Sequence, residues 1–224
     1  MKKLFISFAA TAGLFFSGLS VASADDVNVY YGPRGGFSKI NNSRVLHFSD
    51  KSTRPATLAN ALVHFIDGLE TGSTAKICMY SMSDYNTLDE MIKAAATKGI
   101  KFQLLLDGVS TWAQASRDRI VKKVQEAADK AKAENRPFDF KIAAVTTAAM
   151  KRNGRESKLE DGTLIYGTMH EKFGVFYAPG NPVPHSCFNG SANISPTSDQ
   201  IYAEKRVFFN DQPAVAQQLA EEFA

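Results

Sequence analysis

The chain has 224 residues, 44% of them hydrophobic and 22% charged, with 26 Lys and Arg against 23 Asp and Glu for a formal charge of +3. That length holds one well-packed domain. So small a charge excludes a general polyanion binder and argues against nucleic acid as the main partner.

The first 24 residues have the three parts of a secretory leader. Lys2 and Lys3 form a basic start, residues 4–21 an apolar run, and Ala22, Ser23 and Ala24 a small-residue exit. The alternative is an uncleaved membrane anchor, since the run approaches spanning length. The small-residue exit and the acids Asp25 and Asp26 after it favour cleavage. Nothing later is apolar enough to span a bilayer. The expectation is therefore a leader over 1–24, one domain over 25–224 with no stable transmembrane anchor, and a location outside the cytoplasm. Without the leader the charge falls to +1, because the leader has two lysines and no acids.

Residues 27–31 predict a short strand, followed by a Gly/Pro turn over 32–36. From Thr57, the residues Leu58, Ala61, Leu62, Phe65, Ile66 and Leu69 fall at helical spacing. A buried strand is predicted over 75–81 and a helix over 86–98, with Gly99 as its stop signal. Another strand over 100–106 ends at Asp107. A charged helix over 117–135 places Ile120, Val121, Val124 and Ala128 on its inner face, and a strand over 138–145 follows. Residues 146–162, with Lys151, Arg152, Arg155 and Lys158, predict an exposed basic loop. A strand over 203–209 and a helix over 213–223 complete the pattern. Alternation of this kind predicts an α/β fold, a mixed β-sheet flanked by helices in a single domain.

The chemistry concentrates in residues 169–193, MHEKFGVFYAPGNPVPHSCFNGSAN. His170 and Lys172 are two residues apart in a strand-like run, and so are Ser191 and Asn193 after a turn-rich loop. A period of two projects each pair to one side of a sheet. An imidazole, an ammonium, a hydroxyl and a carboxamide converging there suit an anionic tetrahedral group such as a phosphate. Asp107 lines the pocket or, with more weight, caps the following loop. His185, in the Pro-rich turn, could reach the mouth of the site. His64 reads as a packing or surface histidine, His47 falls in a segment with no assignable element, and Trp112 is a substrate wall or ordinary packing. Cys78 and Cys187 are either bridged or two buried thiols.

His170-x-Lys172, the run Gly190-Ser191-x-Asn193 and the later Glu204 together resemble the phospholipase D superfamily. The likeness continues upstream through helix, strand ending in Tyr80, helix, Gly99 and strand ending in Asp107. It implies a phospholipase D-like domain in which His170 is the nucleophile forming a phosphohistidine. Lys172 and Asn193 would hold the non-bridging oxygens, with Ser191 adding a hydrogen bond. Glu204 would accept the other ring N–H of His170. No metal or other cofactor is implied. The family motif continues with an Asp where this chain has Tyr177, a departure shared with the tyrosyl-DNA phosphodiesterases. Tyr177, His185, Lys151 and Arg152 are the candidate substrate contacts.

The superfamily's working site uses two His-x-Lys motifs, and this chain has one. The resemblance thus implies a homodimer that completes the site, or one half of a longer two-motif protein; the homodimer is the favoured expectation. Three readings remain. Phospholipid fits the near-neutral charge and the aromatics Phe173, Phe176, Tyr177 and Phe188. Nucleic acid fits the basic stretch that contains Lys151 and Arg152. A non-catalytic phosphate- or lipid-binding protein fits the Tyr177 departure.

Overall fold

The structure, a computed structural model, describes residues 27–32, 58–110, 113–145, 156–158, 164–166, 169–200 and 204–223. In chain order the elements are β1 (Val27–Gly32), α1 (Leu58–Gly68), β2 (Thr74–Met79), α2 (Tyr85–Lys98), β3 (Lys101–Asp107), α3 (Gln114–Ala133) and β4 (Phe140–Val145). They continue with β5 (Glu156–Lys158), β6 (Leu164–Tyr166), β7 (Lys172–Tyr177), β8 (Ser186–Gly190), α4 (Pro196–Gln200), β9 (Glu204–Phe209) and α5 (Pro213–Phe223).

Local chemistry sets the helix ends. Asp84 caps α2 by accepting from Asn86 N at 3.1 Å and Thr87 Oγ1 at 2.7 Å, and Gly99 ends it with φ 61°. The crossovers through α2 and α3 are long enough to return the chain parallel, so β2, β3 and β4 run in one direction. The short turn after β7 permits only an antiparallel hairpin with β8, and β9 and β1 extend it antiparallel. The result is one mixed seven-stranded sheet, β1-β9-β8-β7-β2-β3-β4, in which β7 joins the antiparallel half to β2.

Alternation along the strands divides the core in two. Ile77, Phe176, Phe188 and Phe208 face α1, α2 and α3 on one side. Phe173, Val175 and Cys187 face α5 on the other. Covered on both faces, β7 has five successive buried residues, and Lys172 is the first of them.

The α/β architecture with a mixed sheet agrees with the sequence expectation, with two adjustments, and one of the two readings of the cysteines is met. Val121 is 50% exposed, because Ile120, Val124 and Ala131 define the inner stripe of α3 and Val121 lies one residue, about 100°, away from it. Inside the stretch expected to be loop, β5 forms and pairs with β6 just beyond it as a separate antiparallel ribbon, whose three-residue strands are too short for periodicity to reveal. The cysteines are free. Cys78 pairs across to Phe173 and Cys187 to Val175, so β7 lies between them. Two strand spacings and a two-residue offset put their backbones about 12 Å apart, beyond disulfide reach. Burial pushes the Cys187 thiol up to about 12.

The leader (1–24), His47, Trp112, Lys151, Arg152 and Arg155 lie outside the described residues. Among the described residues, no helix is long and apolar enough to cross a membrane.

Candidate active site

The site forms where β2 and β3 end. Residues 169–171 continue the extended line of β7 across those ends: Tyr80 N donates to Glu171 O at 2.9 Å, and Met169 N donates to the Asp107 carboxylate at 3.1 Å. His170 is thereby held at the carboxyl edge of the parallel strands, the position where open α/β sheets present ligand sites. Its ring is exposed and leans on Tyr80, with centroids 4.6 Å apart and planes tilted by 49°.

Lys172 is only 4% exposed. Its ammonium turns back along the strand, donating to His170 O at 2.7 Å and lying 3.0 Å from Nδ1 and 3.4 Å from Nε2 of the imidazole. It also sits 5.2 Å from the centroid of the Tyr80 ring. Burial lowers its pKa from the ordinary 10.5, while Glu204, Glu171 and Cys78 act in the opposite sense.

Asn193 arrives from the other side. Gly190 ends β8 against β9 so closely that a Cβ there would stand 2.2 Å from Lys205 O. Past it, the chain crosses the end of the sheet to pair Ile194 with Met82, and Ile194 O accepts from Ser83 N at 2.8 Å and Asp84 N at 3.1 Å. Asn193 Oδ1 accepts from Ser81 N at 3.2 Å, next to Tyr80. Its NH₂ has no hydrogen-bond partner among the described residues and is available to an anion.

Other expected site residues are placed elsewhere. Ser191, the first residue past the end of β8, lies on the α5 face. Its Oγ accepts from Lys205 N at 3.1 Å, and it lines a groove of about 590 Å³ with Lys205, Val207, Phe209 and Leu219. Glu204 is not bonded to His170: Oε1 accepts from Ser198 Oγ at 3.2 Å, and buried Oε2 has no hydrogen-bond partner among the described residues. Lys172 occupies the space beside both ring nitrogens, and Glu204 acts on that lysine through its charge.

Tyr177 and His185 stand at the far end of β7, roughly 20–24 Å along the strand from His170. Tyr177 pairs with Thr74 and packs beside Val175 and Cys187, with the Lys76 ammonium 5.2 Å from its ring centroid. The motif position that Tyr177 fills is thus a packing position under α5. His185 N donates to Phe176 O, and its Nδ1 lies 2.7 Å from Ser186 Oγ and 3.4 Å from Asp211. Neither side chain is brought together with His170, Lys172 and Asn193. His64 is exposed on α1.

Three contributors were under-read from sequence. Asp107 is fully buried, and besides holding Met169 N it accepts from Ser110 N at 2.9 Å, so it caps its loop and places the histidine segment with one carboxylate. Arg117 ties that turn to α3 through the carbonyls of Asp107 and Ser110, both at 2.9 Å. A buried carboxylate closing an apolar strand was the available signal. Tyr80, the wall behind His170, carried none beyond its place at a strand end. Among the described residues no three His, Cys, Asp or Glu side chains gather as a metal site.

This fold carrying this His–Lys pair defines a phosphodiesterase domain of the phospholipase D superfamily. Residues 66–224 match the family described as cardiolipin synthase, PLD-like domain, and the chain belongs to that family. It shares its fold with Nuc, a phospholipase D family member from Salmonella typhimurium, at a TM-score of 0.52 and 14% identity over 88% of this chain and 90% of that one. NucT from Helicobacter pylori is also similar, with a TM-score of 0.46 and 16% identity over 73% and 83% of the two chains. No curated protein sequence matches the chain.

An activity that needs the Lys172 ammonium should decline on the alkaline side at a pH below the ordinary lysine value of 10.5, because burial favours the neutral amine. Glu204→Gln removes the largest influence that raises this pKa and should move the alkaline limb to still lower pH. A pH profile of kcat/KM checks both, and an unmoved limb in the variant would contradict the link.

Proposed function

We propose that this protein hydrolyses phosphodiesters through a covalent phosphohistidine on His170, and that its substrate is a phospholipid. The supporting observation is the buried Lys172 ammonium laid against the exposed His170 ring, with the free NH₂ of Asn193 nearby in the loop. An imidazole nitrogen attacks phosphorus, the P–N bond forms, and the P–O bond to the leaving alcohol breaks as that alcohol takes a proton. Water then attacks the phosphohistidine, the P–N bond breaks, and the products are a phosphomonoester and free imidazole. Lys172 and Asn193 offset the charge that grows on the non-bridging oxygens.

One imidazole cannot both attack and protonate the leaving alcohol in the same step. The proposal therefore includes a homodimer in which His170 of the partner subunit is the acid. Phospholipid is favoured by the small net charge and by the family description, which names cardiolipin synthase. Nucleic acid is the second reading, favoured by a basic stretch that leads through the β5–β6 ribbon to His170. Export through residues 1–24 belongs to the same proposal, supported by their basic start, apolar run and small-residue exit.

Incubation of the purified protein in EDTA with phosphatidylcholine vesicles and, separately, with plasmid DNA tests the reading. Headgroup release is expected, and His170→Ala should reduce it on the order of a thousandfold or more. DNA nicking without headgroup release would move the substrate to nucleic acid, and turnover of neither would overturn the phosphodiesterase. Light scattering should give twice the monomer mass; an active monomer would refute the shared site. Protein recovered from outside the cytoplasm should begin at Asp25, and one found there with its first 24 residues intact would contradict cleavage.

A further inference from the structure

Arg206 lies on β9 two residues beyond Glu204 and has no place in the chemistry above, yet it is 1% exposed. Its side chain enters the α1 side of the sheet beside Phe208 and lies 5.3 Å from the centroid of the Phe188 ring. Nη1 donates to Leu58 O, at the start of α1, at 2.6 Å. Nη2 donates to Ala192 O at 3.2 Å and to Asn193 O at 3.4 Å. One guanidinium therefore joins the first residue of a helix to the loop that carries Asn193.

That loop needs the support. Beyond Gly190 the β8 ladder has ended, and the chain turns across the end of the sheet before Ile194 meets Met82. The two carbonyls that Arg206 holds lie in this crossing, where Ser191 N and Ala192 N still donate to Lys205 O at 3.1 and 3.4 Å and the last backbone tie to β9 is made. Desolvating a cation for packing alone is unfavourable relative to an apolar side chain. A rigid planar fork that reaches acceptors on two segments is what distinguishes arginine from lysine.

We propose that Arg206 is a positioning residue: its guanidinium fork, anchored on Leu58 O, fixes the Ala192 and Asn193 carbonyls and thereby orients the Asn193 carboxamide. Its effect on turnover rests on the phosphodiesterase reading; its effect on the loop does not. Arg206→Lys keeps the charge but offers a single donor head, which cannot bridge both segments.

The readout for the loop is amide hydrogen exchange at Ser81, whose N–H donates to Asn193 Oδ1. Arg206→Lys should speed exchange at Ser81 to the level seen in Asn193→Ala, and leave the core amide of Phe102 unchanged. The double variant should match Asn193→Ala alone. On a phosphodiester that the wild type turns over, kcat should fall about 10- to 100-fold with KM within about threefold, again without further loss in the double variant. Wild-type exchange at Ser81 in Arg206→Lys, or losses that add in the double variant, would overturn the proposal and leave Arg206 a packing residue.

Should Arg206→Lys not fold, the wild-type protein decides by arginine-selective NMR: separate, slowly exchanging Nη1 and Nη2 signals are expected, and averaged signals would overturn it. If the wild type turns over no phosphodiester, the function proposed above falls, and the exchange result still decides the role of Arg206.

Discussion

Lys172 places a cation in a strand enclosed on both faces, and the rest of the site is arranged around that burial. An ammonium removed from water is unfavourable by several kcal/mol unless hydrogen bonds and opposite charge offset the loss. Here the compensation comes from the His170 carbonyl, the imidazole nitrogen 3.0 Å away, the face of Tyr80, and the fields of Glu204 and Glu171. The interaction works both ways. The lysine is held in the protein by the histidine, and the histidine ring is held in one orientation by the lysine. Burial still prevails, so the amine yields its proton more readily than an ordinary lysine and is poised to respond to an anion.

The sheet topology makes this pairing possible. Because β7 runs antiparallel to β2, its first residues meet the carboxyl ends of β2 and β3, where backbone donors are no longer committed to the ladder. Asp107 takes one such donor from Met169, and Asn193 takes another from Ser81. Two segments distant in sequence, 169–172 and 190–194, are brought to one edge through hydrogen bonds to a third, 80–84. The functional groups thus inherit the rigidity of a core sheet, although His170 and Asn193 themselves lie beyond its strands.

Much of this was legible in the sequence. The strand and helix alternation was strong enough to give the α/β class, and an H-x-K pair inside an apolar run marked the strand on which the chemistry stands. What failed were inferences that extended a period past its element. The two-residue spacing of Ser191 and Asn193 promised one shared side, but the strand ends at Gly190, and the two side chains diverge to the α5 groove and to Ser81. Tyr177 looked like a damaged motif position and is a packing residue one strand length from the histidine. Asp107 and Arg206 act through partners 62 and up to 148 residues away, and a pattern read along one chain cannot show such distances.

The claim on which the account stands is that His170 carries the phosphoryl group. Rapid acid-free quenching of the protein during turnover of a phosphodiester, followed by peptide mass spectrometry, measures it directly. A phosphoryl adduct on His170, absent from His170→Ala and lengthened in lifetime when water is depleted by an alcohol-poor cosolvent, is the predicted result. Turnover with His170 unmodified throughout, or an adduct on another side chain, would contradict the account.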